Sequence, residues 1–243
     1  MLFHSRISIF RVNSNYKLYK QSITRVDVIK DLGVYFSKNL SFAHHINCTI
    51  KRAHQLVGFI KRTCCDFTNT TAIKSIYIAL VRSILEYCSV VWSPHQKSSI
   101  DRIERVQRKF IKFLCFKEGM EYNADNYLNL CSHFKLSPLF IRRQVLDLCF
   151  IHKCVNYITD CPDINSSFTF FVPPRRLRSS DLFRIPNHRV NLSKYCFSSR
   201  AMSLLNSVYR FDIDLFTSLS AFKTQVSSVL LSFVDSNFTT ESF

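Results

Sequence analysis

The sequence predicts a mainly α protein: a helical bundle with a short N-terminal β segment and a helical C-terminal region. The 243-residue chain contains only 3 Gly and 6 Pro, whereas β-barrels and sandwiches need many turns built on these residues. From Ser41 onwards, apolar residues recur every three to four positions, which is the period of an α-helix. Hydrophobic residues make up 47% of the chain, so a packed core is expected and disorder throughout is excluded.

Residues 1–36 are predicted to form short strands. The segments 7–10 and 23–29 mix β-branched with polar residues, and 31–36 adds an apolar run in which Gly33 marks a turn. This is too little sheet to stand alone. The segment is therefore expected to be the edge of a larger unit and to expose apolar surface.

Residues 37–116 are predicted to be a helical domain. Its first helix begins near Ser41, a plausible N-cap, and carries Lys51, Gln55 and Arg62 on its polar face. Its apolar face comprises Phe42, Ile46, Ile50, Ala53, Val57 and Ile60. A second helix is predicted over 71–87, with Arg82 pointing away from the buried stripe. That stripe comprises Ile73, Ile76, Tyr77, Leu80, Val81 and Ile84.

The third helix of this domain, predicted over 98–116, separates its apolar residues from its cations. The apolar face comprises Ile100, Ile103, Phe110, Ile111 and Leu114. Spacing at 100° per residue places on the other face Arg102, Arg105, Arg108, Lys109 and Lys112. Asp101–Arg105 and Glu104–Arg108 are expected to form ion pairs across one helical turn. Each pair stabilises the helix by roughly a few tenths of a kcal/mol and partly neutralises this basic face.

The C-terminal half is predicted in three parts. Residues 117–157 form a buried helical segment whose main helix begins at Ser137-Pro138 and reaches about Tyr157. Residues 158–197 form a loop that contains Pro and the basic residues Arg175, Arg176 and Arg178. Residues 198–243 form two helices, at about 199–209 and 219–233.

A large positive charge predicts a polyanionic partner. The chain has 33 Lys and Arg against 17 Asp and Glu, a formal net charge of +16. Such a charge favours nucleic acid, an anionic membrane surface or an acidic protein as the partner, with nucleic acid preferred. The alternative is a solvated basic surface without a specific partner. A membrane span is not expected, because the longest apolar stretch, 76–92, carries Arg82 and Glu86. The partner expected from charge is a nucleic acid, contacted at its backbone. The candidate contacts are Lys51, Lys61, Arg62, Arg82, Arg102, Arg105, Arg108, Lys109, Lys112, Arg175, Arg176 and Arg178.

No catalytic residue, metal site or cofactor is predicted. The closest approach to a metal-binding pattern is Cys149, His152, Cys154 and Cys161, whose spacing matches no zinc site, so buried thiols beside a neutral histidine are expected. Two-metal chemistry needs carboxylates held close together, and the chain has no adjacent acidic pair. With no secretion signal, the ten cysteines are interpreted as reduced thiols and the chain as cytoplasmic or nuclear, not secreted.

Four blocks, in order along the chain, resemble the reverse transcriptases of non-LTR retrotransposons of the jockey and CR1-like group. The first block runs from Asp31-Leu32-Gly33-Val34-Tyr35-Phe36 through Leu40-Ser41-Phe42 and His45-Ile46 to Gly58–Arg62. The second block is Tyr77–Pro94, with Leu80-Val81-Arg82-Ser83, Leu85-Glu86-Tyr87 and Val91-Trp92-Ser93-Pro94, and the third is Ile103–Phe110. The last block spans Arg175–Asn206 and includes Arg178-Ser179, Phe183, Pro186, Arg189, Asn191, Arg200 and Asn206. The similarity covers about residues 1–210. The chain departs from the family at Ser37, where Asp is usual, and at Val190, where Thr is common.

This resemblance implies that residues 1–36 are the last strands of a polymerase palm and 37–116 a thumb. The remainder would be the C-terminal domain of the polymerase. It also implies that the family's catalytic aspartates, which bind Mg²⁺, lie upstream of this chain. The chain alone is therefore expected to lack RNA-directed DNA polymerase activity and to retain a role in holding the template and primer. The partners that the resemblance implies are RNA and DNA, contacted at their backbones. The alternatives are element debris without a selected function and a host-adopted nucleic-acid-binding module.

Overall fold

A computed structural model of the chain describes residues 17–24, 26–172, 181–211 and 213–240, with side chains described to residue 233. The protein is mainly helical, as the sequence predicts. The strand predicted at 7–10 and the basic residues at 175–178 lie outside the described residues.

Two small antiparallel hairpins open the described chain. Strands β1 (Lys17–Leu18) and β2 (Gln21–Ser22) form the first, and β3 (Val28–Asp31) and β4 (Val34–Ser37) form the second. In the second hairpin, Leu32 and Gly33 both have positive φ, as a two-residue turn of type I′ requires. The apolar side chains before this turn are uncovered: Leu18, Tyr19, Ile23 and Ile29 are all exposed.

Helix α1 (Ala43–Thr63) follows, and the next helical stretch is interrupted. Helix α2 (Thr70–Tyr77) continues through a π-helical turn at Ile78–Arg82 into α3 (Ser83–Glu86), and the short α4 is Ser89–Trp92. Because of the π turn, the buried side chains of this stretch follow one another at intervals of four residues: Ile73, Tyr77, Val81 and Leu85. For this reason Leu80, expected in the core, is exposed and Leu85 is buried in its place.

The first hydrophobic core is closed by α5 (Lys97–Lys117) and α6 (Tyr127–His133). This core is made of buried side chains that lie along the chain between Val34 on β4 and Leu139. The segment 117–157 contributes to both cores of the protein, because α6 belongs to the first and most of the following helix to the second.

The second core is built around α7 (Leu139–Val155), which packs against α10 (Phe197–Tyr209) and α11 (Leu219–Thr240). The short helices α8 (Pro162–Asn165) and α9 (Asn191–Lys194) lie within the segment that was expected to be a loop. Within the described residues, no helix combines the length and apolar character needed to cross a membrane.

Two expected helix starts differ from the structure. Helix α1 begins after Phe42, although the Ser41 hydroxyl still accepts the Ala43 amide hydrogen at 3.4 Å. Helix α7 has no cap from Ser137; its first amides, those of Leu139 and Phe140, donate to the carboxylate of Glu104 at 3.0 and 3.2 Å.

The Glu104 contact corrects the expected Glu104–Arg108 pair. Glu104 is buried and also accepts the hydroxyl hydrogen of Tyr127. A carboxylate is the ligand that the N-terminus of a helix prefers, because its first amides have no partner within the helix. Glu104 therefore joins the first core to the helix that carries the second.

Candidate nucleic-acid interface

Helices α1 and α5 pack side by side and run in the same direction. Near their starts, Arg102 Nη2 donates to Asn47 Oδ1 at 2.7 Å, and at their ends the Lys117 ammonium donates to the Cys65 carbonyl oxygen. Sequence numbers therefore rise together along both helices. Because of this register, cations from the two helices lie along one seam.

We call this seam the cationic strip. On α5, the exposed Arg102, Arg105, Lys109 and Lys112 recur every three to four residues, so they lie on one line of the helix. Lys117 is half-buried, follows Lys112 by five residues and lies beside this line, next to the end of α1. The α5 part extends over about 22 Å, at 1.5 Å per residue. The strip comprises Lys61, Arg102, Arg105, Lys109, Lys112 and Lys117.

Side chains of α1 and α5 influence one another across the strip. Partial burial, followed by the charges of Lys109 and Lys112, lowers the pKa of the Lys61 ammonium. Burial, with the charges of Lys109 and Arg105, likewise lowers the pKa of His54. Each of these perturbing charges is positive, so the strip concentrates cations from two helices.

The strip has no internal counterions. Across the described part of the chain, none of its six cations forms an ion pair with a carboxylate. The expected Asp101–Arg105 pair does not form either. A line of cations that repel one another favours an anionic ligand with repeated charges.

Aromatic side chains accompany the strip. The ammonium groups of Lys61 and Lys117 lie 5.8 and 5.6 Å from the centre of the Phe113 ring. Phe116 is 77% exposed and follows Lys112 by one helical turn. Cations interleaved with an exposed aromatic ring are typical of surfaces that bind single-stranded nucleic acid.

Other predicted contacts have different surroundings. Lys51 and Arg62 are exposed on α1, and Lys51 lies one turn from both Asn47 and His54 on the side that faces the strip. The Arg108 guanidinium stacks over the Tyr127 ring at 4.9 Å, and its Nε is buried.

Arg82 does not point away from the packed side of its helix. Its Nε lies 3.8 Å from Glu86, which also binds Arg142 through both carboxylate oxygens. Burial and the Arg142 charge lower the pKa of Arg82. We therefore assign Arg82 to the contact between α3 and α7 and leave it out of the strip.

The sequence analysis missed His54, Lys117 and Phe116 as members of this surface. A signal was present for Phe116, which follows Lys109 and Lys112 at helical spacing. The contribution of His54 depends on how α1 packs against α5, which helical periodicity does not report.

The structure offers no metal centre in the residues it describes: no group of three or more His, Cys, Asp or Glu is placed to hold an ion. All ten cysteines are free. The His152 ring instead lies 2.9 Å, at Nε2, from the Thr217 carbonyl oxygen and packs against Phe222. His152, Cys149 and Cys154 are buried, as the sequence predicts, whereas Cys161 is half-buried.

Comparisons of the chain with protein-family models, with curated proteins and with solved structures found no match.

Proposed function

We propose that this protein binds the sugar–phosphate backbone of a template–primer through the cationic strip. The observation that carries the proposal is the arrangement of six cations on two parallel helices with no paired carboxylate in the described structure. Phosphate contacts of this kind give affinity without sequence selection.

We further propose that the helical domain is the thumb of a non-LTR retrotransposon reverse transcriptase, with the following helices as its C-terminal region. The resemblance of residues 31–110 and 175–206 to that family supports this assignment. A thumb grips nucleic acid through exposed cations on packed helices, and α1 and α5 carry such cations. The chain then binds template and primer and leaves the chemistry of polymerisation to the palm.

Binding of the full chain to a fluorescent RNA–DNA primer–template tests the proposal. Fluorescence anisotropy over a series of NaCl concentrations should give a linear fall of log K with log salt, because bound phosphates release their counterions. A folded chain that shows no salt-dependent binding would refute the proposal. Primer extension by the same preparation should remain at background.

A further inference from the structure

A line of hydrogen bonds at the junction of α9 and α10 connects a cysteine to a histidine. The Cys196 thiol donates to the Ser199 hydroxyl, with 3.4 Å between sulfur and oxygen. The Ser199 Oγ lies 2.7 Å from His188 Nε2, and His188 Nδ1 lies 2.6 Å from the Ser193 Oγ. Hydroxyls thus engage both ring nitrogens and hold the imidazole in one orientation. None of these four residues belongs to the cationic strip.

The segment that carries Cys196 is anchored on both sides. The ring of Tyr195 stacks on the ring of His95, with 3.9 Å between the ring centres. The Tyr195 carbonyl oxygen accepts a hydrogen bond from Arg200 Nη1 at 3.1 Å, and the Cys196 carbonyl oxygen accepts one from the Arg200 amide at 3.0 Å. These contacts place the Cys196 side chain beside the first turn of α10.

The four side chains can fill the roles that define an activated nucleophile. Such a site needs a nucleophile, a base within reach through hydrogen bonds, and a third group that orients the base. Here Cys196 is the nucleophile, His188 the base and Ser193 the orienting group. The thiol proton passes to Ser199 Oγ as the Ser199 hydroxyl proton passes to His188 Nε2, which leaves a thiolate and an imidazolium.

The surroundings of the Cys196 sulfur favour the thiolate. Cys196 is the N-cap of α10, and the N-terminus of a helix favours a negative charge. The Ser198 Oγ lies 3.4 Å from the sulfur. Burial raises the pKa of the Cys196 thiol, but the hydroxyls and backbone amides of Ser198 and Ser199 outweigh burial, and the pKa is lowered.

The cysteines of the two cores have the opposite character. Cys196 is half-buried, whereas the core cysteines are buried. Buried thiols in apolar surroundings are inert, because the thiolate is the reactive form. Burial raises the pKa of the thiols of Cys115, Cys131, Cys149 and Cys154.

We propose that Cys196 is a peroxide-reactive thiol whose proton is taken up and returned by His188. The Cys196 thiolate attacks one oxygen of hydrogen peroxide, and the O–O bond breaks. The proton held on His188 Nε2 passes through Ser199 to the leaving hydroxide, which departs as water. The sulfur is oxidised to a sulfenic acid and the peroxide is reduced. A small thiol such as glutathione then condenses with the sulfenic acid to a mixed disulfide and water.

Hydrogen peroxide is the electrophile that uses both halves of this arrangement. Its reaction needs a thiolate to attack and a proton for the hydroxide that leaves, and the relay through Ser199 supplies both. The molecule is also small enough to approach a half-buried sulfur. This reaction is independent of the proposed contacts with template and primer.

Site-resolved mass spectrometry of the full chain tests the proposal. The reduced chain is treated with hydrogen peroxide at pH 7 in the presence of dimedone, which traps sulfenic acids, and labelling of each cysteine is followed with time. Cys48 is the internal reference, because it is half-buried and lies 3.6 Å from His44 Nε2 without a relay. Cys196 should be labelled about ten times faster than Cys48 or more.

Two variants and a matched control separate the relay from mere exposure. Ser199→Ala and His188→Asn should each slow the labelling of Cys196 about tenfold, and its alkylation by iodoacetamide should shift to higher pH. Ser203→Ala, at an exposed position one turn further along α10, should change neither readout. Equal labelling of Cys196 and Cys48 in the native chain would overturn the proposal, as would a Cys196 rate that neither variant changes.

Discussion

Arg102 and Asn47 are joined by a 2.7 Å hydrogen bond that sets the start of α5 beside the start of α1. The two residues are 55 positions apart, and their contact marks the parallel register, set by the shared hydrophobic core, that brings Lys61 alongside Lys109 and Lys112. The cationic strip is thus a product of tertiary packing built from two helices of ordinary amphipathic sequence.

Removal of the Glu104 carboxylate is expected to destabilise the protein. Glu104→Ala leaves the Leu139 and Phe140 amides without their acceptor in a buried position, at a cost of about 3 kcal/mol in the free energy of unfolding. Glu104→Gln, which keeps one acceptor, should cost less. Urea denaturation measures both. Asp101→Ala, which removes an acidic residue of the same helix that forms no ion pair, is the control and should change stability by less than about 0.5 kcal/mol.

Gly58→Ala should stabilise the protein by about 0.5–1 kcal/mol, because glycine is unfavourable inside a helix. The nearest atom to an added Cβ is Arg62 Nη1 at 3.4 Å, at the end of a flexible side chain. Gly119→Ala is the control and should lower the stability. Gly119 has a φ of +67°, which alanine adopts only with strain, although there is open space around it. A loss of stability in Gly58→Ala would show that the helix is more tightly packed there than the structure indicates.

Stability should fall as the pH drops from 7 to 5, and His45 should contribute to this fall. Burial, with the His44 charge, lowers the pKa of His45 below its usual value of 6.5. A histidine with a depressed native pKa stabilises the fold above its unfolded pKa, and the contribution is lost as the pH falls through the native pKa. His45 lies 3.4 Å, at Nδ1, from the Tyr35 amide nitrogen, which donates to it, so protonation removes this contact.

Chemical denaturation at several pH values tests the His45 prediction. His45→Asn should show a shallower loss of stability between pH 7 and 5 than the native chain. The neighbouring exposed His44 offers the matched variant His44→Asn, which should keep most of the native dependence. Equal slopes for the native chain and His45→Asn would contradict the assignment.

Phe116 should contribute to binding of unpaired bases. Phe116→Ala is expected to weaken binding to a primer–template with a single-stranded overhang by about tenfold, since stacking of one base contributes about 1–3 kcal/mol. Phe59→Ala removes another exposed ring, on α1 and outside the strip, and should have little effect. Equal losses of affinity in Phe116→Ala and Phe59→Ala would show that Phe116 does not stack on a base.

Sequence periodicity predicted α1, α5 and α7 to within a few residues, because each alternates apolar and polar faces over many turns. It also placed five cations of α5 on one exposed face. The structure bears this out for Arg102, Arg105, Lys109 and Lys112, whereas Arg108 is half-buried over the Tyr127 ring. It failed at Glu104, which looked like a surface residue because its partners are 23, 35 and 36 positions away. It did not predict that Leu80 is exposed and Leu85 buried after the π turn, because a regular period of 100° per residue assumes an unbroken α-helix.

The most direct test of the cationic strip compares two triple variants that remove equal charge. One carries Arg105→Gln, Lys109→Gln and Lys112→Gln; the other carries Lys135→Gln, Lys194→Gln and Lys223→Gln, at exposed positions outside the strip. The slope of log K against log salt is measured for each with the same RNA–DNA primer–template. We expect the strip variant to lose about two to three units of slope, at about 0.9 per phosphate contact, and the control to lose less than about one. Equal slopes for the two variants would contradict the account, because binding would then follow net charge and not this surface.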